Sequence, residues 1–132
     1  MRTLTLCLSL VVTACAGQRG ATQANLIDAS NASPLGELVY KDRCSRCHGE
    51  RGQGSDGAPA LFGEGTLGGG EHAFKDGQAL FDYVSSKMPK NAPGSLTVRD
   101  NWAVVTYLAG ANAVSVPRGG LSEANAADVK LR

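Results

Sequence analysis

Cys44-Ser45-Arg46-Cys47-His48 places two thiols three positions apart, with an imidazole directly after the second. On a helical turn, side chains at that spacing share a face. Each thiol can then form a thioether to a haem vinyl group, and the histidine can put a ring nitrogen on the iron. The pattern C-x-x-C-H is the attachment signature of haem c. A Cys-x-x-Cys pair also serves thioredoxin-like redox sites and zinc knuckles. The first expects a βαβ setting, which the sequence does not show. The second needs another ligand pair, yet the only other histidine is His72, and the remaining cysteines, Cys7 and Cys15, fall in an N-terminal leader. The reading is therefore one haem c per chain, bound covalently through Cys44 and Cys47, with His48 as an axial iron ligand.

A second axial group is then required. Met88 is the only methionine apart from Met1, lies forty residues past His48, and precedes Pro89. Histidine and methionine are an established pair on c-type haem. The bland alternative is a core methionine. His72, in Gly68-Gly69-Gly70-Glu71-His72, is the rival ligand, although a histidine in such a loop is more often simply solvated. Met88 is the expected ligand.

Several elements must position these groups. Ser33-Pro34 pairs a hydroxyl cap with proline at the first helical position, which predicts a helix from Pro34 to Arg43. Glycine or proline recurs every few residues over 49–70, the pattern of a loop. Asp76 is an N-cap candidate for a second helix ending at Lys87, with Leu80, Tyr83, Val84 and Lys87 on one stripe. Pro89 biases Met88 toward extended backbone. Thr97 and Asp100 approximate a capping box for a third helix, through Trp102, Val105 and Leu108, stopping at Gly110. Trp102 reads as a packing residue. Residues 113–132 form a C-terminal tail without clear periodicity, with room for a short frayed helix capped by Ser122.

The N-terminus sets the compartment. Met1-Arg2 is a basic start, and Leu4 to Val12 is a mostly apolar run too short to be a permanent span. Residues 1–15 read as a secretory signal. Ala14-Cys15-Ala16 fits ordinary cleavage, whereas Val12-Thr13-Ala14-Cys15 resembles a bacterial lipobox. A lone cysteine at that spot favours lipidation of Cys15 and a membrane anchor. Residues 16–32, rich in small and polar types, read as a flexible tether to a domain over 33–112. The chain is expected in the bacterial periplasm or on the outer face of a membrane.

Composition narrows the rest. The chain has 132 residues, 17 of them glycine, 5% aromatic content and a net charge of +1. So small a domain cannot bury a large core unaided, and a covalent haem would supply the missing apolar mass. No long basic run exists, so nucleic acid is not an expected partner.

Over residues 36–110 the chain resembles the class I c-type cytochromes, small all-α domains of three main helices and glycine-rich loops around one haem. Gly36 and Tyr40 precede Cys44 by eight and four positions, and the resemblance implies that they let the first helix cross the last closely, against Val104 and Tyr107. Cys44, Cys47 and His48 match the haem motif. Pro59 and Leu61 match a proximal loop, in which the Pro59 carbonyl would accept a hydrogen bond from His48. Met88 matches the distal ligand. Tyr83 to Leu108 is also similar to cytochromes associated with bacterial dehydrogenases.

With both axial positions filled, no site remains for substrate. No catalytic grouping is visible either. The expected function is single-electron transfer between redox protein partners such as a dehydrogenase, oxidase or reductase, by a carrier rather than an enzyme. The alternatives are a haem subunit of a periplasmic dehydrogenase complex, or a haem enzyme or sensor with a labile distal ligand. Lys87 and Lys90 flank Met88 as a solvated pair or as a docking patch for an acidic partner.

Overall fold

The computed structural model describes residues 33–69 and 73–131. The expectations for the leader, Cys7, Cys15, the tether and His72 lie outside the described residues. Four helices follow one another: α1 (Pro34–Arg43), α2 (Ser45–His48), α3 (Gly77–Lys87) and α4 (Val98–Ala111). Among the described residues there is no β-strand, only two isolated bridges, Ser55 to Ala58 and Asp76 to Lys130. No helix among them is long and apolar enough to cross a membrane.

Local chemistry sets where the three longer helices begin. The Ser33 hydroxyl accepts from Gly36 N–H, the Asp76 carboxylate from Ala79 N–H, and the Thr97 hydroxyl from Asp100 N–H. Each cap satisfies one backbone donor that the first turn leaves without a partner.

α1 crosses α4 at Gly36. A Cβ on residue 36 would collide with the Ala103 carbonyl oxygen and with Tyr107 Cβ. Glycine in a helix costs about 1 kcal/mol relative to alanine, and here that cost permits a backbone-to-side-chain approach no other residue allows. The helix expected to face Gly36 through Val104 and Tyr107 does so through Ala103 and Tyr107. Those two are four positions apart on one stripe, and Val104 is turned about 100° away, onto the wall of the central cavity. One turn on from Gly36, Tyr40 is fully buried, with its ring 5.5 Å from Tyr107 and 5.0 Å from Phe62.

α3 packs on α4 through Phe81 and Trp102, whose rings stack at 3.8 Å. Trp102 is thus a packing residue. Leu80, Val84, Val105, Leu108 and Ala109 complete this side of the core; full burial of each large aliphatic chain is worth roughly 1.5–3 kcal/mol.

The end of α4 differs from expectation. It runs past Gly110 to Ala111 and is capped by Asn112. Ala113 takes the left-handed conformation at φ 57°, its N–H donates to the Gly110 carbonyl, and Val114 N–H donates to the Ala109 carbonyl. That is a Schellman ending, with alanine where glycine is usual. Beyond it, the segment around Ser122 forms turns rather than a helix. It is nonetheless well packed: Val116, Leu121, Ala126 and Leu131 are buried. Asp76 anchors this segment to the start of α3. Gly77 N–H donates to the Val129 carbonyl, Leu131 N–H to the Lys75 carbonyl, and Lys130 Nζ lies 3.6 Å from the Asp76 carboxylate.

Candidate haem site

α1 ends at Arg43, and α2 restarts the chain one residue later. Cys47 N–H and His48 N–H both donate to the Cys44 carbonyl, at 3.1 and 3.0 Å, so the two cysteines and the histidine occupy one tight turn. Several bonds lock that turn in place. The Tyr40 hydroxyl donates to the Gly49 carbonyl at 2.7 Å, the Ser55 hydroxyl to the Cys47 carbonyl at 2.8 Å, and Gly54 N–H to the His48 carbonyl at 2.8 Å. Gly54, at φ 82°, lies directly under the 58–60 segment, where a Cβ would strike the backbone of Pro59 and Ala60. Its bare Cα is what lets that segment approach His48.

His48 is buried, and its Nδ1 lies 2.8 Å from the Pro59 carbonyl oxygen. A carbonyl can only accept, so Nδ1 must carry the proton. The tautomer is therefore fixed, and Nε2 is left with its lone pair on a ring that lines the cavity. Burial pushes the Cys44 thiol up to about 11, helped by the neighbouring Cys47. Cys47 itself is exposed.

Cys44, Cys47, His48, Pro59 and Met88 all line one cavity of about 1220 Å³. Ordinary small-molecule sites occupy roughly 300–1,000 Å³, so this space suits a large group. Its walls are apolar: Leu61, Leu67 and Phe74 come from the loop, Leu80 and Val84 from α3, and Val104 and Leu108 from α4. Met88 caps the C-terminus of α3 in extended backbone, at φ −119° and ψ 155°, and is partly buried. Arg43, Lys87, Lys90 and Asn91 also line the cavity, with Glu64 the one acidic side chain on it among the described residues. The donor set fits haem c: a paired thiol turn, an imidazole with a free nitrogen, a thioether, and an apolar slot between them.

Sequence reasoning missed part of the cavity wall. Leu67 and Phe74 sit in irregular backbone, where no periodicity marks a buried side. It also missed Asn112, whose amide bonds to Leu61, Gly63, Thr66 and Leu108. An asparagine just past a helix is a recognised ending, but Gly110 stood in front of it as the more obvious stop.

A small all-helical domain with this turn, this proximal loop and this cavity is a class I c-type cytochrome. Residues 31–108, more than half of the chain, match the family described as cytochrome c oxidase, cbb3-type, subunit III, and the chain belongs to that family of haem c electron-transfer domains. It is also similar to the thiosulfate dehydrogenase of Stutzerimonas stutzeri (strain A1501), at 31% identity over 80 residues, covering 55% of this chain and 25% of that protein. Among solved structures it is similar to the sulfane dehydrogenase SoxCD from Paracoccus pantotrophus, with a TM-score of 0.63 and 26% identity, over 76% of this chain and 53% of that one. The thiosulfate dehydrogenase TsdBA from Marichromatium purpuratum matches at a TM-score of 0.44 and 28% identity, over 56% of this chain and 17% of that one. The chain thus spans about a quarter of the S. stutzeri protein and about half of the SoxCD chain it matches.

Proposed function

We propose that this chain holds one haem c, joined by thioethers to Cys44 and Cys47, with His48 and Met88 as axial iron ligands, and passes single electrons between redox proteins outside the cytoplasm. The observation that carries the reading is His48: a buried imidazole, its Nδ1 proton committed to the Pro59 carbonyl, in the same cavity as Met88 and both cysteines. When bound, haem supplies an iron that takes up and gives back one electron. The residues do the rest. Pro59 orients the imidazole and raises its basicity through the hydrogen bond. Met88 brings a soft thioether that favours the reduced state. Leu61, Leu67, Phe74 and Val84 exclude water. Two protein ligands leave no position for a substrate, so the chain carries electrons and does not itself transform a substrate.

Arg43, Lys87 and Lys90 on the cavity lining suit an acidic partner surface, with Glu64 the opposing charge on that lining among the described residues. Export through residues 1–15, with lipidated Cys15 and a tether over 16–32, would keep the domain near membrane-bound partners. Intact mass of the mature protein tests the anchor: an unmodified N-terminus at Gly17 would exclude it.

A second reading has its own support. Similarity to two proteins named as dehydrogenases, over part of each, favours service as the haem subunit of a dehydrogenase complex. Purification of the native protein separates the two readings, since a subunit elutes with its enzyme and a shuttle elutes alone.

Ligation is tested at Met88. The ferric protein should show the weak near-infrared band of sulfur on iron, and Met88→Ala should remove it and admit carbon monoxide to the ferrous protein. Survival of the band in Met88→Ala, with its loss in His72→Ala, would reassign the ligand.

A further inference from the structure

Asn112 lies outside the haem motif, yet its side chain spans two walls of the cavity. Its Nδ2 donates to the Leu61 carbonyl and to the Leu108 carbonyl, each at 2.8 Å. Its Oδ1 accepts from Gly63 N–H at 3.1 Å and from the Thr66 hydroxyl at 2.7 Å. An amide has two N–H donors and two acceptor lone pairs, and all four are used. Aspartate lacks the donors, and glutamine is one methylene too long. The position therefore suits asparagine alone.

The partners are as telling as the count. Leu61 and Thr66 belong to the loop that also carries Pro59, and Leu108 belongs to α4; all three line the cavity. The ties to the loop reach 46 to 51 residues along the chain. On its other side the same loop is bonded to Gly52, whose carbonyl accepts from Leu61 and Phe62 N–H. The loop is thus held from more than one side, and Asn112 provides the link to α4.

We infer that Asn112 is a positioning residue for the haem site: it clamps the 59–67 loop to the end of α4, and so keeps the Pro59 carbonyl against His48 Nδ1 and the Leu61 wall closed to water. This inference rests on the haem reading of the cavity. Without the amide, the part-buried Leu61 and Leu108 carbonyls and the Thr66 hydroxyl each lose a partner, the exposed Gly63 N–H loses another, and the tie between the loop and α4 is gone, so the loop opens toward solvent. Two readouts report the opening. The His48 Nδ1 proton exchanges faster with water, and the reduction potential shifts, because both the imidazole's hydrogen bond and the access of water to the site change.

The test uses the full-length holoprotein, made with haem-attachment machinery present. Asn112→Ala is compared with Thr97→Ala, which removes the cap at the far end of the same helix and lowers stability without touching the loop. Asn112→Ala removes four part-buried or exposed hydrogen bonds, and in the reduced protein it should speed exchange of the His48 ring proton about tenfold or more, the factor expected when one or two of them count in full. It should also shift the potential, while Thr97→Ala keeps wild-type values for both. If Asn112→Ala behaves like Thr97→Ala, Asn112 is only a helix cap and the inference fails. Should Asn112→Ala yield no holoprotein, Thr66→Val probes the same network from the loop side: faster exchange supports the clamp, and a wild-type rate overturns it. A wild-type chain exported without haem in its intact mass would overturn the haem reading, and this inference with it.

Discussion

Gly36 rests directly on the carbonyl of Ala103, with no room between them for a methyl group. The contact sets the distance between α1 and α4, and so the depth of the cavity whose floor includes Val104 and Leu108. Gly36→Ala would raise helix propensity by about 1 kcal/mol but force the helices apart. Overpacking of this kind costs roughly 1–3 kcal/mol, and the colliding atom is backbone, which cannot rotate away. The expected outcome is net destabilisation, read as a lower denaturation midpoint with unchanged slope. A more stable Gly36→Ala protein would mean that the crossing is loose.

Asp76 links folding to pH. Its carboxylate accepts from Ala79 N–H, and Lys75 and Lys130 stand within 4 Å. The Ala79 bond, against the opposing effect of burial and with help from both lysines, holds its pKa below the ordinary aspartate value. A carboxylate so depressed contributes stability that is present above its unfolded pKa and lost as pH falls through the folded one. Asp76→Asn keeps a cap acceptor and removes the charge. The stability gap between wild type and Asp76→Asn should be open at neutral pH and close in acid, measured by denaturation at a series of pH values. A gap independent of pH would show that the charge contributes nothing.

Ala113 holds a left-handed conformation that suits glycine. Ala113→Gly relieves that strain and should stabilise the protein by about 1 kcal/mol, a rise in thermal midpoint detectable by calorimetry. Because residue 113 makes no side-chain bond to the loop, the reduction potential should stay where it is.

Helix starts were legible because their chemistry is local: Ser33, Asp76 and Thr97 each bond to the residue three positions on. The end of α4 was not, since Asn112 caps the helix with partners 46 to 51 residues away that no local pattern reveals. The same holds for Ala103, where identity of the crossing residue depends on the rotation of α4 rather than on its composition. Cys44, Cys47, His48 and Met88 stood out by type and position, Pro59 only through the resemblance to class I cytochromes, and all five line the same cavity. Leu67 and Phe74 did not stand out, because irregular backbone gives an apolar residue no face. The burial of Leu121, Ala126 and Leu131 was likewise hidden in a tail without period.

Haem should also be needed for folding. The cavity of about 1220 Å³ presents apolar walls that the proposed haem would cover, and so small a domain buries too little apolar surface to fold firmly without that help. Cys44→Ser combined with Cys47→Ser should leave little cooperative structure by circular dichroism. Sharp, fully helical unfolding of that double variant would show that the protein side chains suffice.

The partner of His48 Nδ1 is a peptide carbonyl, not a side chain. Every amino acid at position 59 brings the same oxygen, so no single substitution there can delete the acceptor. Heritable variation therefore reaches this bond only indirectly, through changes that redirect the path of the main chain. Strength of the imidazole's hydrogen bond is a trait of the loop's route, encoded at a distance by residues such as Gly54 and insulated from point mutation at the atom that makes it.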